Sequence, residues 1–300
     1  MQSFGAILLI AAYFAFSLTS LIIYTLIGEG IPLIVLFGMQ NIIIIILLLG
    51  RALLIKKSIS KPKNMRWIFL RSCTGSLYSL SYYTALSYAS FAEVGLLTNS
   101  FPLFIVLFAW LFLGERVTIM QWISLSIGLI GVWTILGPNV ANFNNAGILF
   151  ATLASVFWAI SLIIMQKVTD YEDFYTYLLY FFSFNLVLLS PFILYYFQFP
   201  TPKQLFFCSV TAITSLIGQS LIFHAYKLCS AAELAPYNFS FAFFHFLLAK
   251  GMFNFVPTTS FYIGAGLIFL GGVINLILFE RRAPQQEEGI PVEVSKEEVE

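Results

Sequence analysis

Residues 4–27 form an apolar run without one charged side chain. Runs of similar length return at about 31–50, 67–89, 92–113, 117–136, 146–166, 174–197, 204–228, 233–252 and 258–279. A helix rises 1.5 Å per residue, so roughly 20 apolar residues cross a bilayer core. Within hydrocarbon the backbone must satisfy its own N–H and C=O groups, which a helix does internally. The pattern therefore predicts an all-α membrane protein with ten transmembrane helices. The first run is too long for a signal-peptide core and lacks a charged leader, so it reads as a retained membrane helix.

Composition agrees with lipid as the solvent. The chain is 60% hydrophobic and 10% charged, whereas soluble domains carry roughly 25% charged residues. Its net charge of +1 gives no electrostatic reason for a nucleic-acid partner. Cys73, Cys208 and Cys229 stand far apart in apolar runs, which suits helix packing and not a disulfide framework or a zinc site.

Turn chemistry marks most of the breaks: Gly28-Glu29-Gly30, Gly114-Glu115-Arg116, Gly137-Pro138-Asn139, Pro200-Thr201-Pro202 and Val256-Pro257-Thr258. The breaks before Glu93 and Glu233 are very short. Orientation follows from lysine and arginine, which favour cytoplasmic loops. Arg51, Lys56, Lys57, Lys61, Lys63 and Arg66 fill the loop after the second span; Arg116, Lys167, Lys227, Arg281 and Arg282 fall on the same side if there are ten crossings. The other side holds Lys203 and Lys250. Both termini are then cytoplasmic. Residues 283–300 are rich in glutamate and free of aromatic residues, and read as a disordered acidic tail.

Glu93 and Glu233 stand 140 residues apart in matching phrases, SFAEVGL and SAAELAP. At that offset Ala85 matches Ala225, Ser90 matches Ser230, Ser100-Phe101 matches Ser240-Phe241 and Gly131 matches Gly271. Nearer the N-terminus the offset is 142: Gly5 with Gly147, Ala12 with Ala154, Phe16 with Trp158. Two repeats follow, 1–140 and 141–282, each of five spans. Five is odd, so the second enters from the opposite face: an inverted repeat, as in many secondary transporters. Ser90-x-x-Glu93 and Ser230-x-x-Glu233 each fit a capping box. The same carboxylates are candidate gate residues at opposite faces, and the two roles are compatible.

The stretch from Tyr82 to Trp133 closes a third span on Ala85-Leu86, puts Pro102 in the fourth, ends it at Gly114-Glu115, and places Gly128 and Gly131 in a glycine-rich fifth. In this it resembles the drug/metabolite transporter superfamily, and its EamA-type ten-helix members in particular. The second half departs from the pattern, with Asn254-Phe255-Val256 in place of Gly-Glu-Arg and Ala242 in place of the proline. The resemblance implies a bacterial inner-membrane carrier of an amino acid or related metabolite. Exchange of S-adenosylmethionine against its demethylated product is one such specialisation.

Polar residues at membrane depth are costly and face a cavity or another helix. Gln40, Asn41, Asn99, Asn185, Gln219, His224, Asn238 and His245 are of this kind. Tyr78 and Tyr82, one turn apart, could join Trp158 in an aromatic wall that stacks on a planar or cationic solute. The expected substrate-binding set is Tyr78, Tyr82, Asn99, Trp158, Gln219, His224, Asn238 and His245. No cofactor or metal is expected; a coupling ion or counter-substrate is, since no ATP-binding motif is present. The alternative is an intramembrane enzyme, which would need His224, His245 and Glu233 to converge at one depth.

Overall fold

The computed structural model describes residues 2–56, 60–113, 119–136, 146–229, 234, 237–238, 240–253, 256 and 258–280. Among them the chain is helical, without strands. The helices are α1 (Gln2–Gly28), α2 (Leu33–Leu54), α3 (Met65–Tyr88), α4 (Phe91–Thr98), α5 (Phe101–Leu113), α6 (Ile119–Leu136), α7 (Ala146–Tyr171), α8 (Phe174–Tyr195), α9 (Pro202–Leu228), α10 (Ser240–Phe253) and α11 (Thr259–Glu280). Five of them, α1, α2, α7, α8 and α9, are long and apolar enough to cross a membrane. Their outer faces expose Ile7, Ile46, Leu53, Val187 and Phe206. Such faces suit lipid, while the polar side chains turn inward.

Local chemistry sets the starts. Ser90 caps α4, and Glu93 closes the predicted capping box by accepting from the Ser90 N–H at 3.1 Å. Thr201 and Gln204 form a second box ahead of α9, with Pro202 in the first turn. Asp173 caps α8. Ahead of α3 the acceptor comes from a distant part of the chain: buried Glu172 takes the Lys63 and Asn64 N–H groups at 3.1 and 2.6 Å.

Two expected spans are not single helices. The run 92–113 breaks at Asn99-Ser100 into α4 and α5. Pro102 has no N–H to continue the ladder, and the break lies just before it. In the run 233–252 Leu234 is helical, Tyr237-Asn238 form a 3₁₀ turn, and α10 begins at Ser240. The Ser100-Phe101 and Ser240-Phe241 pairs matched by sequence therefore both open a helix. Glu233, Ser230, Glu115 and Arg116 and the tail 283–300 lie outside the described residues.

Helix pairing has a regular form. α1 packs on α9 and α3 on α7; α1 meets α10, while α7 meets α4 and α5; α2 meets α8 and α9, while α8 meets α2 and α3; α6 lies along α11. Small residues permit close helix approaches. A Cβ on Gly147 would stand 2.9 Å from the Ala89 backbone nitrogen, and one on Gly5 would collide with the Cys229 sulfur. At one end of the bundle Lys203 meets Glu29 at 2.6 Å.

Candidate functional site

Six helices, α1, α2, α3, α7, α8 and α9, surround a cavity of about 50 Å³ near the middle of their lengths. Its walls combine aromatic rings with uncharged polar groups. Tyr78 lies 4.6 Å from Trp158 and 5.6 Å from Tyr82, ring centre to ring centre, so the aromatic wall expected from the sequence is assembled. Phe16, which matches Trp158 at the sequence offset of 142, meets it edge-on at 6.1 Å. Gln40, Asn41, Asn185 and Gln219 supply amides around the cavity. Ser76 Oγ donates to Asn185 Oδ1 at 2.8 Å, and Tyr83 O–H donates to Gln40 at 3.3 Å. The Asn41 Oδ1 has no partner.

Arg71 also lines the cavity, and sequence reasoning did not single it out. It is fully buried in α3. Its Nη1 donates to Ser161 Oγ at 2.5 Å. The guanidinium carbon lies 5.0 Å from the Phe181 ring centre and 5.5 Å from that of Trp158. Nε and Nη2 have no partner, and no carboxylate pairs with it among the described residues. The signal was available: Arg71 falls inside the 67–89 apolar run, and a charge at that depth is itself a mark of function.

The other expected residues form a joint beside the cavity. His245 is fully buried. Its Nδ1 lies 3.1 Å from the Phe241 carbonyl, which can only accept, so the proton sits on Nδ1. Nε2 is then the acceptor for the Tyr82 O–H at 2.6 Å. Ser17 shares Nδ1 at 3.0 Å. One turn away on α1, Tyr13 O–H donates to Asn238 Oδ1 at 2.7 Å. With its amide turned so that both groups find partners, Asn99 donates to the Asn238 carbonyl at 3.2 Å and accepts from the Ala242 N–H. Asn99, Asn238 and His245 thus tie the break in α4–α5 to the start of α10 and to α1. They do not face the cavity. His224 does not either: it is exposed, with Nδ1 at 2.7 Å from its own helix's Ser220 carbonyl. Glu93 is committed to its cap at the start of α4, away from the cavity.

The model of the EamA-like transporter family matches residues 3–137 and again 145–277. The chain belongs to the EamA-like transporter family. Transporter and not enzyme is therefore the class. A riboflavin transporter of Vibrio cholerae is 26% identical over 95% of this chain and 97% of its own length. An S-adenosylmethionine uptake transporter of Rickettsia bellii is 26% identical over 68% of this EamA-type chain and 69% of its own. A pseudopaline exporter of Pseudomonas aeruginosa is 24% identical over 56% and 60%. A solved crystal structure superposes with a TM-score of 0.67 at 19% identity, covering 94% of this chain and 100% of that one, which shows the shared fold. The protein is thus a multi-pass membrane transporter of the EamA type.

Proposed function

We propose that this EamA-type protein is a secondary transporter of a small organic metabolite with a planar ring, working by alternating access through the central cavity. The observation that carries the reading is the cavity: a narrow, polar and aromatic-walled space at mid-length of six helices. A volume of about 50 Å³ holds little more than water. Ligand sites for small molecules are several hundred Å³. A solute must therefore part the walls, and opening toward one face at a time is how a carrier does so.

We further read the chain as ten spans in an inverted five-plus-five repeat, 1–140 and 141–282, followed by the tail. Three observations support it. The family model matches once in each half. Exchanging the halves turns the α1–α9 packing into α7–α3 and α1–α10 into α7–α4/α5, and each pairing occurs. Gly5 against Cys229 and Gly147 against Ala89 are the same contact under that exchange. The location follows as a bacterial inner membrane with both termini cytoplasmic, and coupling as an ion or a counter-substrate.

The riboflavin and S-adenosylmethionine carriers among its relatives move solutes with planar rings, which suits the Tyr78–Trp158 wall. The test is counterflow in proteoliposomes with labelled riboflavin, S-adenosylmethionine and aromatic amino acids. At least one should accumulate unchanged, and Tyr78→Ala should reduce its uptake about tenfold, since stacking of a flat ring on an aromatic side chain is worth roughly 1–3 kcal/mol by alanine substitution. Chemical conversion of the solute, or no movement of any of them, would sink the reading.

A further inference from the structure

Arg71 is the one cavity group whose chemistry the aromatic wall does not explain. A guanidinium taken out of water is tolerated when its five N–H donors are satisfied. Here Ser161 takes Nη1, and the rings of Trp158 and Phe181 flank the group. The two nitrogens left over are Nε and Nη2. These are neighbours on one edge of the guanidinium plane, the edge that makes two parallel bonds to a carboxylate. The side chain is fully buried and lines the cavity. Its counterpart in the second half, at the offset of 140, is Thr211, so helix packing common to both repeats does not require a cation there.

We propose that Arg71 is the receptor for a carboxylate on the transported solute, which makes the substrate class a planar organic acid or zwitterion whose ring lies against Tyr78 and Trp158. The proposal rests on the transport reading for the word "transported", but the binding chemistry stands on the cavity alone. It narrows the sequence expectation of a planar or cationic solute. A cation would meet a fixed positive charge in a cavity that has no acidic side chain in its walls. A ring-bearing zwitterion brings its own anion to the free edge of Arg71 and leaves its positive group to the tyrosines and amides. Inorganic anions share the chemistry and are separated by the test.

The experiment measures thermal unfolding of the purified full chain with indole-3-acetate and with indole-3-acetamide, which differ only in the carboxylate. Chloride alone and phosphate alone form two further arms. The wild-type protein should gain several degrees with the acetate and clearly less with the acetamide. Arg71→Gln should erase that difference while its unliganded melting temperature stays level or rises, because an unpaired buried charge has been removed. Arg71→Lys should keep part of the preference, as a point charge without the fork.

The proposal is overturned if acetate and acetamide act alike on the wild type, a comparison that needs no variant to fold. It is overturned too if Arg71→Gln retains the preference, or if chloride or phosphate alone gives the full shift. A carboxylate preference with no solute moved in counterflow would defeat the transport reading and leave this one intact. Counterflow of riboflavin in Arg71→Gln at the wild-type rate, with no acid preference, would do the reverse.

Discussion

At the scale of the residue, the capping box at Ser90 separates two roles for a glutamate in an apolar phrase. Glu93 Oε2 accepts from the Ser90 N–H at 3.1 Å and from the Ser90 hydroxyl at 2.7 Å, and Ser90 Oγ accepts from the Glu93 N–H. Glutamine offers the same carbonyl acceptor. Glu93→Gln should therefore unfold within about 0.5 kcal/mol of the wild type, and Ser90→Ala with Glu93→Ala should lose about 1 kcal/mol or more, the usual worth of a helix cap. Thermal unfolding in detergent checks both, with uptake measured on the same samples. A stable but inactive Glu93→Gln protein would make the charge part of a gate. This contact was legible in the sequence because a capping box is a local pattern, three residues wide. The Asn99, Asn238 and His245 joint was legible only as polarity at depth. Which polar groups face the cavity and which face each other depends on helix rotation, and the sequence of one chain does not carry that directly.

Elements show where hydropathy stops being informative. The run 92–113 is apolar on average, so a sliding count sees one span. The chain breaks it at Asn99-Ser100 because Pro102 cannot donate and because Asn99 engages the Asn238 carbonyl and Ala242 N–H of the facing segment. Discontinuous helices of this kind mark the working region of many transporters. The start of α3 shows a second limit. Asn64 makes no side-chain cap, and Glu172 supplies the acceptors from more than a hundred residues away. Two backbone N–H groups lose their partner in Glu172→Ala, and bonds to a charged acceptor contribute about 1.5–3 kcal/mol each at most. We expect a loss of about 2 kcal/mol in total, read as a lower melting temperature, with Glu172→Gln retaining much of it. An unchanged melting temperature for the alanine variant would mean that water replaces both bonds at no cost. The loop's lysines and arginines, by contrast, set its side of the membrane in the sequence, and Glu172 does not alter that count.

For the whole molecule, the charge bias and two long-range contacts make the same claim about crossing number. Lys61 and Lys203 fall on opposite sides of the membrane if five spans, the third to the seventh, separate them. Lys203 meets Glu29, which follows the first span, and Glu172, which follows the sixth, meets the Lys63-Asn64 segment. With a cytoplasmic N-terminus, ten crossings put the first pair outside and the second pair inside, so neither contact has to reach across the bilayer. Nine or eleven crossings that add or drop a span between these points would split one or both of the pairs. The test uses a variant with Cys73, Cys208 and Cys229 replaced by serine, carrying either Lys61→Cys or Lys203→Cys, or a cysteine after Arg282. A membrane-impermeant maleimide on intact cells should label only Lys203→Cys; permeabilised cells should label all three. Labelling of Lys61→Cys and Lys203→Cys from the same side would require an even number of spans between them, and the inverted relation of the two halves would go with it. That outcome would also remove the reason for pairing Gly5–Cys229 with Gly147–Ala89 as one contact used twice. The two close approaches would then be independent contacts of small residues.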